Sequence, residues 1–144
     1  MVKIYTIGFT KTTAENFFGR LRNSNSRKLV DVRLNNVSQL SGFAKRDDLK
    51  FFAKNLCDMD YVLVPKLAPT KPMLDAYKKK KIDWANYENQ YLDLMVKRQV
   101  EKLRPADLDG CCLLCSEDTP HFCHRRLVAE YLDQKWGGVE IVHL

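Results

Sequence analysis

Residue types suited to chemistry are concentrated in the segment 115–126, which reads CSEDTPHFCHRR. The Thr-Pro step at 119–120 is a typical helix start, with Thr as the cap and Pro as the first helical residue. This start places three side chains in the first two turns of a helix: Cys123, His124 and Arg125. A helix N-terminus presents unpaired N–H groups and a partial positive charge, which favour anions. The segment therefore predicts a site for an anionic ligand.

Each side chain of this segment suits a role in such a site. A helix N-terminus lowers the pKa of a thiol such as Cys123 and favours the neutral form of His124. Arg125 can bind phosphate or carboxylate through two hydrogen bonds. Glu117 follows the preceding strand and suits general acid–base chemistry, and Cys115 ends that strand beside it. The alternative is structural, with Cys123 as a small core residue and His124 as a packing or capping residue.

A charged pair, Asp31 and Arg33, lies in the short apolar strand 29–33, which reads LVDVR. Side chains alternate along a strand, so the two charges share one face. They form either an ion pair that anchors the next loop or part of a ligand site. Gly8 ends another predicted strand. Because ligands of open α/β sheets bind beyond the carboxyl ends of the strands, we expect Gly8 and Arg33 to contact the ligand and Asp31 to act as an acid or base.

Metal-ligating atoms are present in the same segment, but their spacing predicts no metal. Cys115, Cys123 and His124 carry suitable atoms, and Cys111 and Cys112 lie nearby in sequence. Cys115 and Cys123 are eight positions apart, whereas structural zinc sites normally show closely paired cysteines. The sequence assigns no cofactor.

The elements that position these residues alternate between strand and helix. Strands are predicted at 3–9, 29–33, 61–64, 111–116 and 139–144, and helices at 13–22, 47–56, 84–103 and 120–136. Five short apolar strands separated by helices indicate a mostly parallel sheet covered on both faces. The predicted fold is a Rossmann-like, three-layer α/β/α sandwich that forms one domain over residues 1–144.

Composition places the chain among ordinary globular proteins. Its 144 residues are 45% hydrophobic and 29% charged, which excludes disordered and fibrous classes. No apolar run approaches the roughly 18 residues that span a bilayer, and no export signal is recognisable, so we expect a cytoplasmic protein with reduced cysteines and no membrane partner.

The net charge of +6 suits an anionic partner. The lysine run Lys78–Lys81 is predicted to be a solvated helix end, with a polyanion contact as the alternative.

Several motifs together resemble the domain-of-unknown-function family 488. They are, in chain order, Tyr5–Phe9 (YTIGF), Leu29–Arg33 (LVDVR), Ser38 with Phe43, Tyr91-x-x-x-Met95, Leu114–Glu117 (LCSE) and Pro120-x-x-Cys123-His124-Arg125. The resemblance implies a small intracellular protein with an α/β sandwich and no established reaction. Its motif positions include all eight residues singled out above. One departure is Leu67-Ala68-Pro69, where the family often reads Leu-Gly-Gly, and this departure predicts a different ligand preference here.

The leading hypothesis is an enzyme that acts on a small anionic or nucleotide-like ligand at the carboxyl edge of the sheet. It assigns ligand binding to Gly8, Arg33, Cys115 and Arg125, and catalysis to Asp31, Glu117, Cys123 and His124. Cys123 is the predicted nucleophile or activated thiol. The alternatives are a binding module for a nucleotide or anion without catalysis, and nucleic-acid binding through Lys78–Lys81. The sequence has no dinucleotide fingerprint, phosphate-binding loop or nucleophile elbow.

Overall fold

The computed structural model describes residues 1–37, 42–117 and 119–144. Its strands are β1 (Val2–Gly8), β2 (Lys28–Asp31), β3 (Asp60–Leu63), β4 (Cys111–Cys115) and β5 (Val139–His143). Its α-helices are α1 (Ala14–Asn23), α2 (Arg46–Cys57), α3 (Lys71–Lys78), α4 (Trp84–Arg98), α5 (Pro105–Leu108) and α6 (His124–Trp136). Short 3₁₀ turns lie at Gly42–Ala44, Pro65–Leu67 and Val100–Lys102. The motif residue Ser38 lies outside the described residues.

All strand pairs in the sheet are parallel, and the strand order is β3-β2-β4-β1-β5. Gly8 lies opposite Cys115, and Asp31 lies opposite Leu114. The carboxyl ends of β1, β2 and β4 are therefore neighbours, as the sequence predicts. β4 separates β1 from β2, which are neighbours in the usual dinucleotide-binding order, so the Rossmann-like description stays a prediction.

Helices cover both faces of the sheet, so the predicted α/β/α sandwich is confirmed. Alternate residues of β4 enter two separate cores because successive side chains point to opposite faces. Leu113 and Cys115 pack in the core on the side of α4 and α6. Cys112 and Leu114 pack in the core on the side of α1 and α2. In the described part of the chain, no helix combines the length and the apolar character needed to cross a membrane.

The region between β3 and β4 differs most from the prediction. The lysine run indicates the end of α3, but the sequence predicts no start for this helix, because the prolines around it suggest an irregular path. The Thr70 side chain caps this helix, and the proline lies in its first turn, where its missing N–H costs no hydrogen bond. α4 ends at Arg98, five residues earlier than predicted, because Gln99 adopts a left-handed conformation with φ 54°. Lys78–Lys81 is exposed at the end of α3, as expected.

The predicted start of the last helix is wrong by four residues. α6 begins at His124 and not at Pro120, with Cys123 as its N-cap. The guanidinium of Arg126 donates to the carbonyl oxygens of Pro120 and His121, at 3.0–3.3 Å. These carbonyls therefore pair with a side chain and not with helical N–H groups. Cys123 lies just outside the helix, in an extended conformation.

Candidate functional site

A cleft of about 320 Å³ opens at the carboxyl edge of the sheet, beyond β2 and β4. Its volume lies at the lower end of the range for small-molecule sites. Five of the eight predicted site residues line it: Arg33, Cys115, Glu117, Cys123 and His124. The other three, Gly8, Asp31 and Arg125, do not line the cleft but contact residues that support it.

Cys115 lies at the centre of the site. It ends β4, and only 5% of the residue is exposed. Its sulfur lies within 4.8 Å of the Cys123 sulfur and contacts the backbone N–H groups of Ser116 and Glu117. The Cys123 contact contributes most to lowering the pKa of Cys115, and these donors together outweigh burial, which acts in the opposite direction. Burial and the same contact raise the pKa of Cys123 well above its usual value, so ionisation favours Cys115 over Cys123.

His124 connects Cys115 to the adjacent strand. Its Nε2 lies 2.7 Å from the carbonyl oxygen of Val32, and because a carbonyl only accepts, Nε2 carries the hydrogen. Nδ1 then lies 3.5 Å from the sulfur of Cys115. The ring also packs against Tyr91, with centroids 5.4 Å apart. This arrangement lets Nδ1 take the thiol proton from Cys115 or return it.

Arg125 is a buried charge with an unusual set of partners. Only 1% of the residue is exposed, and Nη1 donates to the carbonyl oxygen of Glu117 at 2.6 Å and to the sulfur of Cys123 at 3.6 Å. Among the described residues, no carboxylate pairs with this guanidinium, and its Nε has no hydrogen-bond partner. A guanidinium does not lose its proton, so a buried one requires an anion nearby. Its charge also lowers the pKa of Cys115, which can supply that anion as a thiolate.

Gly8 allows the loop after β4 to approach the end of β1. A Cβ at this position would lie 1.5 Å from the carbonyl oxygen of Glu117, so no other residue fits without moving the loop. The same loop is held by Thr10, whose N–H and hydroxyl donate to the carbonyl oxygen of Ser116 at 3.0 and 2.7 Å. The sequence predicts that Gly8 contacts a ligand, whereas it is the protein's own backbone that approaches it closely. Gly8 thus positions the two N–H groups that bind Cys115.

Asp31 and Arg33 form a buried ion pair through two hydrogen bonds of 2.9 Å. Tyr61 also donates its hydroxyl hydrogen to Asp31, so both carboxylate oxygens are occupied. Arg33 donates to the carbonyl oxygen of Ala44 at 2.8 Å and lies over the ring of Phe9. The pair therefore anchors the following loop and also presents Arg33 to the cleft. Burial, and next the contact with Asp31, raise the pKa of Tyr61, a residue that sequence reasoning missed.

Aromatic rings form one wall of the cleft. Tyr77, Tyr87 and Phe122 line it, with the Tyr77 and Tyr87 centroids 5.0 Å apart. Phe122 is 53% exposed and packs edge-on against Trp84 at 5.4 Å. Lys78 lies at the rim. The sequence does not predict this wall. Apolar residues spaced three and four positions apart predict which face of a helix is buried, but not which rings border a cleft.

The cysteine–histidine cluster also has the composition of a metal site. The ligand atoms of Cys115, Cys123 and His124 all lie within 4.8 Å of one another. Two sulfurs and one imidazole with a side open to a cleft would suit zinc. The fold brings together two cysteines that are eight positions apart in the sequence, so their wide spacing does not exclude a metal site. A metal ion bound here would occupy the Cys115 sulfur, so a bound metal and a free Cys115 thiolate exclude each other.

Fold and site together define an α/β sandwich protein with a thiol-centred cleft at the carboxyl edge of its sheet. Residues 13–132 match the sequence model of the family described as domain of unknown function DUF488. The chain belongs to this family, and the resemblance seen in its motifs is confirmed. No curated protein and no solved structure matches the chain. The family description states no activity, so the function has to be inferred from the site.

Proposed function

We propose that the protein is an enzyme that uses the Cys115 thiolate as a nucleophile on a small, anionic, ring-bearing ligand held in the cleft. One observation carries this proposal. The buried Arg125 guanidinium has no carboxylate partner among the described residues, and its Nη1 lies 3.6 Å from the Cys123 sulfur, which is itself within 4.8 Å of the Cys115 sulfur. Charge and donors at this point favour an ionised sulfur, which is the reactive form of cysteine.

The proposal moves the nucleophile from Cys123 to Cys115. The pKa of Cys115 is lowered and that of Cys123 is raised, so Cys115 is the first of the two thiols to ionise. Arg125 supplies the counter-charge and does not reach the cleft. Asp31 orients Arg33, which faces the ligand. The sequence hypothesis chose Cys123 because of its expected place inside a helix, which the later start of α6 removes.

In the proposed reaction, the Cys115 sulfur donates its electron pair to an electrophilic atom of the ligand. A bond from that atom to the leaving group breaks, and the leaving group departs with the bonding electrons. His124 can then give it a proton from Nδ1, because Nε2 is fixed on the carbonyl oxygen of Val32. Glu117, which is exposed on the cleft, is the second candidate for this proton transfer.

The walls of the cleft support the ligand class. Tyr77, Tyr87 and Phe122 offer ring faces and edges to a planar group. Arg33 on the floor and Lys78 on the rim offer positive charge to an anionic group. A nucleotide-like molecule has both features, and so does an aryl phosphate.

The proposal is tested by alkylation with iodoacetamide at neutral pH, followed by peptide mapping. We expect Cys115 to be alkylated first, and nucleoside monophosphates or aryl phosphates to slow its alkylation. The matched control is Cys112 on the same strand, which should stay unmodified in folded protein. Preferential alkylation of Cys123, or equal alkylation of Cys115 and Cys112, would overturn the assignment of the nucleophile.

Turnover separates an enzyme from a binding module. Ligands that protect Cys115 are incubated with the protein and recovered for mass analysis. We expect a chemically changed ligand or an adduct on Cys115, and neither with Cys115→Ser. Recovery of every protecting ligand unchanged, with equal affinity for Cys115→Ser, would support the non-catalytic module and contradict the enzyme.

A further inference from the structure

We infer that Cys115 and Cys123 act as a nucleophilic and a resolving thiol, so that the electrophile of this enzyme is the sulfur of a small disulfide. This inference rests on the proposed function, because it requires Cys115 to be the nucleophile. It adds the class of substrate and a role for the second buried cysteine. The role that the sequence hypothesis gave to Cys123 thus becomes the second step and not the first.

The geometry of the two thiols carries the inference. Their sulfurs lie within 4.8 Å of each other and of a ring nitrogen of His124, whose Nδ1 lies 3.5 Å from the Cys115 sulfur. Cys123 is the N-cap of α6, with φ −144° and ψ 139°, and its side chain makes no capping hydrogen bond. Its sulfur is therefore not committed to the helix. Cys111 and Cys112, which are adjacent on β4, enter opposite cores and cannot cooperate in this way.

The surroundings of Cys123 suit a thiol that reacts second. While Cys115 is ionised, its negative charge disfavours ionisation of Cys123. Once Cys115 is bonded to substrate, that charge is gone. Nη1 of Arg125 lies 3.6 Å from the Cys123 sulfur, so the positive charge of Arg125 can then stabilise a thiolate on Cys123. The same guanidinium can thus support each thiolate in turn.

The chemistry balances without a further oxidant, because the disulfide substrate is itself the oxidant. The Cys115 thiolate attacks one sulfur of R–S–S–R, the S–S bond breaks, and RS⁻ leaves with its electron pair. The Cys123 thiol then passes its proton to His124, and its sulfur attacks the Cys115 sulfur. A Cys115–Cys123 disulfide forms, and the second RS⁻ takes the proton from His124. The substrate is reduced to two thiols, and the two cysteines are oxidised.

An aryl disulfide that carries carboxylates, dithiobis-nitrobenzoate, is a suitable probe because it combines rings, negative charge and an S–S bond. The full chain is mixed with limiting probe, and the coloured thiol is followed together with the intact mass. We expect two thiols to be released for each probe molecule, with no adduct and an internal disulfide mapped to the two cysteines. Cys123→Ser and Cys123→Ala should each release one thiol and keep the other half of the probe on Cys115. Cys57→Ser, which changes a half-buried thiol of α2, should behave as the unmodified chain.

The outcomes separate the two proposals. A stable mixed disulfide on Cys115 in the unmodified chain would overturn the resolving role and leave the nucleophile intact. Slow release with no preference for Cys115 would overturn both. Stoichiometric zinc in the purified protein, with rapid reaction only after chelation, would also contradict the inference, because the three side chains would then serve as metal ligands.

Discussion

The two ends of β4 hold cysteines with opposite properties. Cys111 and Cys112 at its start and Cys115 at its end are all buried. Burial raises the pKa of Cys111 to about 12 and that of Cys112 well above its usual range. At the other end, hydrogen-bond donors and the charge of Arg125 lower the pKa of Cys115. Burial alone therefore makes a cysteine inert, and the donors at the carboxyl end of the strand reverse the effect.

The difference follows from the position of each residue along the strand. Cys111 and Cys112 pair with β1 and β2 on either side, so their neighbouring backbone groups are used in the sheet. After Cys115 the strand stops, and the N–H groups of the next two residues turn toward its sulfur. Successive N–H groups in such a turn form a concavity that favours an anion. The loop geometry, and not the residue type, distinguishes the pKa of Cys115 from those of Cys111 and Cys112.

The largest expected effect is on reactivity, through Cys115→Ser. We expect this change to remove the fast phase of alkylation by iodoacetamide at neutral pH, a loss on the order of 100-fold, since the pKa of each remaining thiol is raised. Cys112→Ser is the matched change at the other end of the strand, and it should leave the fast phase in place. Retention of fast alkylation in Cys115→Ser would contradict the claim that the fast-reacting thiol lies at the carboxyl end of β4.

A change at Gly8 should disturb the loop that surrounds the thiol. We expect Gly8→Ala to lower the free energy of unfolding by about 1–3 kcal/mol, because the added Cβ overlaps the Glu117 carbonyl. Gly19→Ala is the control, since nothing lies within 4 Å of that Cβ and alanine favours the α1 helix by about 0.5–1 kcal/mol. Urea denaturation measures both. Equal stability of the two variants would mean that the close approach at Gly8 is not required.

Removal of the buried positive charge of Arg125 tests whether this charge lowers the pKa of Cys115. We expect Arg125→Met to raise the pKa of Cys115 and to slow its alkylation at neutral pH about tenfold. The control, Arg104→Met, removes an exposed guanidinium paired with Asp107. The rate of Cys115 alkylation should not change in this variant. If Arg125→Met reacts as fast as the unmodified chain, Arg125 is not the counter-charge of the thiolate.

The smallest effect is expected at the rim of the cleft. Lys78→Gln should weaken protection of Cys115 by an anionic ligand about threefold, because an exposed charge in water contributes at most about 1 kcal/mol. Lys50→Gln, at an exposed position of α2, is the control and should have no effect. The measurement is the dissociation constant of the anionic ligand, obtained from its protection of Cys115 against alkylation at low ionic strength. A larger loss with Lys50→Gln would place the ligand elsewhere.

The sequence predicts the sheet and the edge that carries the site, because strand alternation and helix spacing are local properties. It places Asp31, Arg33 and Cys115 at neighbouring strand ends, since parallel strands point the same way. It misplaces the start of α6, where the Arg126 side chain takes carbonyls that a helix would otherwise use. Side-chain competition of this kind depends on contacts that spacing does not encode.

The sequence also does not show which thiol ionises first. Both Cys115 and Cys123 lie in the same short segment, and only the folded structure distinguishes the lowered pKa of Cys115 from the raised pKa of Cys123. The aromatic wall is unpredicted for a similar reason, because Tyr77 belongs to a helix whose prolines suggest irregular structure. Both features arise from tertiary contacts.

The most direct test of the central claim is the pH dependence of Cys115 alkylation in the folded chain, read by peptide mapping. Because the folded environment lowers the pKa of this thiol, the thiolate fraction should be complete at a lower pH than for an ordinary cysteine. We predict a midpoint for Cys115 below 9.0, while Cys111, with a pKa of about 12, stays unreactive over the same range. A midpoint at or above 9.0 for Cys115 would contradict the claim that the carboxyl end of β4 holds a thiolate.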